Sequence, residues 1–127
     1  MAKTFMQMVG EAKEQVPAIA PADVSDTALI IDVRDRGDIA ATGIIPGALT
    51  VSLGTLGFKA DVTMPDEMRH AELGDLDQEI VVTCTIGAMA ALGANTLKEL
   101  GYTNVTYLEG GTLGWKEAGL EVDQFTP

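Results

Sequence analysis

The sequence predicts an α/β protein with a central, mainly parallel sheet flanked by helices on both faces. Short apolar runs rich in branched residues alternate along the chain with helical patterns and with glycine-containing turns. Such alternation is typical of βαβ units, whose crossover helices pack against the sheet. The length of 127 residues fits one domain, and a hydrophobic content of 46% is enough to form its core.

An amphipathic helix is predicted at the N-terminus. Apolar side chains recur at helical spacing over residues 4–16, and Pro17 stops the pattern. We therefore divide the chain into an N-terminal helix, residues 1–17, and one α/β domain, residues 18–127.

Two strands and two helices are predicted in the middle of the chain. The apolar run 28–33 predicts a strand buried on both faces, and residues 34–43 follow as a loop and a short helix. A Pro-Gly turn then leads to a strand-like segment within 45–52. We predict the second helix over 65–73, because its acidic first residues suit the positive end of a helix dipole.

The last third of the chain repeats the strand-helix pattern. Residues 79–84 predict another buried strand, and residues 88–101 predict a helix with Lys98 in its last turn and a terminal glycine. A strand and turn over 104–111 and a short final helix over 112–119 complete the pattern.

The formal net charge of −11 limits the classes of partner. Nucleic acids and anionic membranes require basic surface, so we expect neither as a partner. No apolar run is long enough to span a bilayer, and the first residues show no secretory cleavage pattern. A single cysteine cannot form an internal disulfide, and we therefore expect a cytoplasmic protein.

The only cysteine, Cys84, follows a predicted strand and precedes a loop that leads into a helix. Ligands bind at the carboxyl ends of the strands in open parallel sheets. Loop N–H groups can converge there, the helix N-terminus adds positive potential, and Gly87 allows a tight turn. Cys84 is therefore a candidate thiolate nucleophile. The alternative is a small, buried hydrophobic residue at a strand end.

Two halves of the sequence resemble the rhodanese-like sulfurtransferase family. The segment "LIIDVRDRGDIAATGIIPGAL" is similar to the family's strand-DVR segment followed by G-H-I-P-G-A. The cysteine loop, "LKELGY" and "LEGGTLGW" follow in the family's order. The resemblance covers about residues 18–122 and implies a rhodanese-like fold.

The resemblance implies sulfur transfer through a persulfide on Cys84, from thiosulfate or another persulfide to a thiol or cyanide. It implies a small sulfur donor and a thiol acceptor as partners, with no metal and no organic cofactor. A protein is a further possible donor or acceptor. The predicted substrate-binding residues form the loop after the cysteine: Thr85, Ile86, Gly87, Ala88, Met89 and Ala90.

The loop departs from the family pattern because it contains no cation, and Thr85 is its only polar side chain. An uncharged loop suits a protein or low-charge donor better than thiosulfate. Ile44 also replaces the family's usual histidine. Phosphatases of this fold need an arginine in the loop to clamp phosphate, and the residues after Cys84 are uncharged until Lys98. Phosphatase and arsenate reductase chemistry is therefore not predicted.

Asp32, Arg34 and Arg36 are candidates for supporting the active loop, because they lie at or just after a predicted strand end. For Asp32 and Arg34 we favour a structural ion pair. We expect His70 to be a solvated residue on the predicted 65–73 helix. We expect Trp115 to pack the final helix on the sheet.

Two rival functions remain open. The first is a sulfur relay, in which Cys84 accepts sulfur from a protein persulfide and passes it to a partner. The second is a catalytically weak binding module that keeps the fold for protein contacts.

Overall fold

Five parallel strands form the centre of the computed structural model, which describes residues 1–127. The strands are β1 (Ala18–Ile19), β2 (Leu29–Asp32), β3 (Leu49–Thr50), β4 (Ile80–Thr83) and β5 (Val105–Leu108). Their order in the sheet is β1-β5-β4-β2-β3, and every neighbouring pair is parallel. The predicted α/β class is confirmed, and the mainly parallel sheet is entirely parallel.

Five helices connect or flank the strands. They are α1 (Phe5–Gln15), α2 (Arg36–Thr42), α3 (Leu53–Ala60), α4 (Ala88–Glu99) and α5 (Gly111–Glu117). Two single 3₁₀ turns, Pro21–Asp23 and Asp66–Met68, complete the regular structure. None of these helices combines the length and the apolar character that a membrane crossing requires.

Helix α1 begins with a complete capping box. The Thr4 side chain accepts a hydrogen bond from the Gln7 N–H, and the Gln7 side chain accepts one from the Thr4 N–H. The buried face of α1, with Val9 and Ala12, packs against α4. The predicted N-terminal helix is thus confirmed as a helix, whereas its separation from the domain as residues 1–17 remains a prediction.

The central strand β4 is buried along its whole length and separates two hydrophobic clusters. Ile80 and Val82 face the larger cluster, together with the buried side of α4. Val81 faces the opposite side, where Leu108 and the half-buried Trp115 of α5 pack. Helices therefore cover both faces of the sheet, and the prediction for Trp115 is confirmed.

The strand register brings the carboxyl ends of β2 and β4 to the same edge of the sheet. Asp32 is the register partner of Thr83, the residue before Cys84. The N-terminus of α4 lies at the same edge, because α4 begins four residues after Cys84. The candidate site is located where parallel α/β sheets place ligands.

The segment between β3 and β4 differs from its prediction. The helix predicted over 65–73 is wrong, because only the 3₁₀ turn Asp66–Met68 forms there. Helix α3 forms instead over Leu53–Ala60, which the sequence analysis did not predict. The short edge strand β1 was also missed.

Burial explains why α3 forms and the 65–73 helix does not. Leu56 and Ala60 of α3 are fully buried against the core, which offsets the poor helix propensity of its two glycines. Within 65–73, only Leu73 is buried. The His70 N–H donates to the Lys59 carbonyl at 2.9 Å, so the backbone there bonds to α3 and does not continue as a helix.

Candidate active site

Cys84 lies directly after β4, and only 2% of its surface is exposed. Its Sγ atom accepts two backbone hydrogen bonds, from the Gly87 N–H at 3.1 Å and from the Ala90 N–H at 3.3 Å. Gly87 is the residue before α4, and Ala90 lies in the first turn of that helix. The sulfur is therefore positioned against the positive end of the helix dipole, where a negative charge is stabilised.

Gly87 allows the chain to turn from the strand into the helix. Its φ of +110° lies in the region that side chains rarely adopt. A Cβ atom at this position would lie at an ordinary contact distance of 3.5 Å from the Leu108 carbonyl oxygen of β5, so the backbone conformation and not the available space favours glycine. This turn points the Gly87 N–H at the sulfur, so the backbone conformation and the hydrogen bond depend on each other.

The loop and the first turn of α4 contain further backbone donors. The N–H groups of Ile86, Ala88 and Met89 have no hydrogen-bond acceptor within the chain. They belong to the same loop and first helical turn as the two groups that bind Sγ. Successive N–H groups of this kind form an anion-binding nest. The loop therefore has backbone donors available for a negatively charged group without any charged side chain.

The first turn of α5 supports the loop from the other side. The Thr112 N–H donates to the Cys84 carbonyl at 2.8 Å, and the Leu113 N–H donates to the Thr85 carbonyl at 3.1 Å. The buried hydroxyls of Thr83 and Thr112 also share a hydrogen bond of 3.1 Å. Both ends of the Cys84 peptide segment are therefore held by α5.

The family model for the rhodanese-like domain matches residues 13–118 of this chain. The chain belongs to the rhodanese-like domain family. The match includes the whole sheet, the cysteine loop and α5. The family resemblance and the predicted fold are both confirmed.

Named sulfurtransferases are among the relatives of this rhodanese-like domain. A sulfurtransferase of Allochromatium vinosum is 29% identical over 91% of this chain and 95% of its own length. The thiosulfate sulfurtransferase GlpE of Haemophilus influenzae is 31% identical over 87% of this chain and 94% of its own length. The domain is thus similar to sulfurtransferases over nearly its whole length.

A solved structure from Rhodopseudomonas palustris superposes on this rhodanese-like domain with a TM-score of 0.87. It is 27% identical and covers 97% of this chain and 96% of its own. That protein is of unknown function and is called a possible tyrosine phosphatase. In the present domain, residues 85–90 contain no arginine that would clamp a phosphate.

The side chains of the predicted substrate loop face different environments. Ile86 is 65% exposed, whereas Met89 is partly buried and packs against the larger core cluster. Thr85 is partly buried, and its hydroxyl makes no hydrogen bond within the chain. Gly87 and Ala90 contact the sulfur through their backbones. The loop therefore acts on the sulfur mainly through peptide groups.

Asp32 and Arg34 form the buried ion pair that we favoured from the sequence. Arg34 Nη2 lies 2.7 Å from Asp32 Oδ2, and Arg34 Nε lies 3.0 Å from Asp32 Oδ1. Arg34 also donates to the Thr42 hydroxyl and to the Gly43 carbonyl, at the end of α2. None of these bonds reaches residues 84–90. The pair joins β2 to α2 at the sheet edge that holds the site.

The other candidate residues make no hydrogen bond to the Cys84 sulfur. Arg36 is exposed, and its guanidinium lies 4.9 Å from the centre of the Phe125 ring. His70 is not on a helix, and its Nδ1 accepts a hydrogen bond from the Glu72 N–H. No group of three His, Cys, Asp or Glu side chains lies close enough to hold a metal ion.

The α5 side of the site was not predicted from the sequence. Gly111 and Thr112 were interpreted only as the turn and start of the last helix. The Gly110-Gly111 pair was the available signal, because two adjacent glycines indicate an unusual backbone or a close contact. The segment that Gly111 contacts is set by the tertiary structure, and it is the Cys84 loop.

Proposed function

We propose that this chain is a sulfurtransferase that carries sulfane sulfur as a persulfide on Cys84. The observation that carries the proposal is the pair of backbone N–H groups on Cys84 Sγ, at 3.1 and 3.3 Å. A sulfur atom that accepts two such bonds at a helix N-terminus is stabilised as a thiolate, which is the nucleophilic form.

In the first step, the Cys84 thiolate attacks the outer sulfur of the donor. A bond forms between Sγ and that sulfur, and the sulfur–sulfur bond of the donor breaks. With thiosulfate, sulfite leaves with the bonding electron pair. With a hydropersulfide, the leaving group is a thiolate, and the proton stays on the transferred sulfur or passes to solvent.

In the second step, an acceptor nucleophile removes the outer sulfur. Cyanide leaves as thiocyanate, and a thiolate acceptor leaves as a hydropersulfide. Sγ departs with the electron pair and again becomes a thiolate. The cycle needs no metal, no organic cofactor and no second cysteine, because donor and acceptor supply all the atoms and electrons.

The loop N–H groups that do not bond Sγ have a different role from the two that do. The donors of Ile86, Ala88 and Met89 have no partner within the chain. They can therefore receive the charge that develops on the outer sulfur as the persulfide forms. The Thr85 hydroxyl is a further donor for the bound sulfur compound. A working thiolate suits a reducing compartment, and we propose the cytoplasm.

Intact mass measurement tests this proposal. The protein is incubated with thiosulfate and, separately, with a low-molecular-weight persulfide, and Cys84→Ser is treated in the same way. We expect the wild type to gain one sulfur atom, cyanide to remove it, and the variant to gain none. Failure of every donor to add sulfur would leave the binding module as the remaining function.

A sulfur relay between proteins is the second candidate. The observation that favours it is the exposed, apolar Ile86 at the loop surface, which suits contact with another protein better than contact with a small anion. A relay predicts faster loading from a protein persulfide than from thiosulfate, and single-turnover mass measurements with both donors distinguish the two functions.

A further inference from the structure

We infer that Ile86 is the residue that determines donor specificity, and that the preferred donor is a hydropersulfide with an uncharged, apolar substituent. The inference rests on the proposed function, since it concerns the donor of the same Cys84 reaction. It goes further because it selects one chemical class of donor over the thiosulfate dianion.

Ile86 lies two residues after Cys84 in the loop. Cys84 is 2% exposed, so a donor can bring little more than its terminal sulfur to Sγ, and its other atoms stay at the loop surface. Ile86 is 65% exposed at that surface, and the next residue, Gly87, donates its N–H to Sγ. The inference places an apolar substituent of the donor over Ile86, two residues from Cys84, where it removes that side chain from water.

The electrostatic surroundings of the loop also disfavour a dianionic donor. Residues 84–90 contain no charged side chain, and the chain carries a formal net charge of −11. Every Lys and Arg except Lys59 makes its hydrogen bond, ion pair or aromatic contact with residues outside this loop. Within the loop, thiosulfate would therefore meet backbone N–H groups and the Thr85 hydroxyl but no cation, on a protein whose overall charge is negative.

A hydropersulfide avoids this electrostatic cost. It carries at most one negative charge, and that charge is located on the sulfur that the loop N–H groups receive. The rest of the molecule is the substituent, whose polarity can match Ile86. The same chemistry is available from a small molecule or from a persulfide on a protein, and both sources belong to the donor class that we infer.

The test compares kcat/KM for thiosulfate and for benzyl hydropersulfide in the wild type and in two variants. Ile86→Lys places a cation beside the donor, and we expect kcat/KM for thiosulfate to rise about tenfold and to fall as salt is added. Ile86→Gln removes the apolar contact without adding charge. We expect it to lower kcat/KM for benzyl hydropersulfide about fivefold relative to kcat/KM for thiosulfate.

Met6→Lys is the matched control, because Met6 is also an exposed apolar residue, at 63%, and lies on α1. It adds the same charge to the protein and should change neither kcat/KM value. Circular dichroism of all variants checks that they are folded. A persulfide on a single-cysteine carrier protein serves as a third donor, and the faster of the two persulfides identifies the source.

Two failures can be distinguished. If no donor adds sulfur to Cys84, the proposed function itself is wrong. If Cys84 is loaded but thiosulfate is the better donor, or Ile86→Lys and Met6→Lys behave alike, the donor inference is wrong and the proposed function stands.

Discussion

Gly111 of α5 lies so close to Thr85 that a Cβ atom on Gly111 would be 2.6 Å from both the carbonyl carbon and the carbonyl oxygen of Thr85. Its φ of +63° is also in the left-handed region. Only glycine fits this contact without displacing the backbone of the Cys84 loop. The conformation of the candidate active loop therefore depends on a residue that lies 27 positions after the cysteine.

We expect Gly111→Ala to damage both stability and sulfur transfer. The left-handed backbone costs an alanine about 1–2 kcal/mol, and the clash with Thr85 adds about 1–3 kcal/mol. The displaced loop should lower the rate of Cys84 persulfide formation about a hundredfold. Urea unfolding and single-turnover intact mass measurements give the two values.

Gly119→Ala is the control for backbone strain alone. Gly119 has a φ of +84°, but nothing lies within 4 Å of a Cβ atom placed on it. We expect a loss of about 1–2 kcal/mol and an unchanged transfer rate. Equal loading rates in the two alanine variants would contradict the role assigned to the contact between Gly111 and the loop.

Removing one partner of the Asp32–Arg34 pair should be strongly destabilising. The side chains are 0% and 1% exposed, so Arg34→Met leaves the Asp32 carboxylate buried and unpaired. We expect the free energy of unfolding in urea to fall by about 3–5 kcal/mol. The Gly43 carbonyl and Thr42 hydroxyl also lose their Arg34 donor.

Lys3→Met tests a surface ion pair for comparison. Lys3 and Glu11 lie 2.7 Å apart, and both side chains are more than half exposed. Because water screens this pair, its loss should change the free energy of unfolding by less than about 1 kcal/mol. A similar small effect of Arg34→Met would show that the buried pair does not stabilise this edge of the sheet.

The buried Tyr102 predicts a loss of stability in alkaline solution. Burial is the main cause that raises the pKa of Tyr102 above its ordinary value of 10.0. The unfolded chain then loses this proton at lower pH than the folded chain, so stability falls as pH rises through 10.0 and above. Tyr102→Phe cannot ionise, and its stability relative to the wild type should increase over this range.

At neutral pH, the same Tyr102→Phe substitution should be destabilising. The Tyr102 hydroxyl donates to the Ala60 carbonyl at 2.7 Å, and its loss leaves that carbonyl without this partner, at a cost of about 1–2 kcal/mol. Tyr107→Phe is the control, because its hydroxyl makes no hydrogen bond in the structure. Urea unfolding below and above pH 10.0 measures both effects, and a pH-independent difference between wild type and Tyr102→Phe would contradict the pKa argument.

Helix α1 should be part of the cooperative unit despite its position at the N-terminus. Val9 is 1% exposed and packs with α1 against α4, so we expect Val9→Ala to lower the free energy of unfolding by about 2 kcal/mol. Met6→Ala, on the exposed side of the same helix, should change it by less than about 0.5 kcal/mol. Equal effects would mean that α1 unfolds independently of the domain.

Local sequence was sufficient to predict the helices and strands whose hydrophobic pattern agrees with their burial in the fold. The β-branched run of β4 is buried at every position, and the helix predicted over 88–101 forms over Ala88–Glu99. The same patterns located Cys84 at a strand end before a helix N-terminus. The secondary-structure prediction failed between residues 53 and 73. Helix α3 contains two glycines and was not predicted, and the predicted 65–73 helix does not form because that segment buries only one residue.

The α/β class, the family and the position of the single cysteine between a strand and a helix could all be predicted from the sequence alone. The class and the position of the cysteine depend on the periodicity and order of neighbouring residues, and the family rests on the resemblance of the motifs to those of known proteins. Three further results come from tertiary packing: α3 forms in place of the 65–73 helix, Arg34 bonds the end of α2, and Gly111 supports the Cys84 loop. Each of these results depends on which distant segments pack together, and local patterns do not specify that choice.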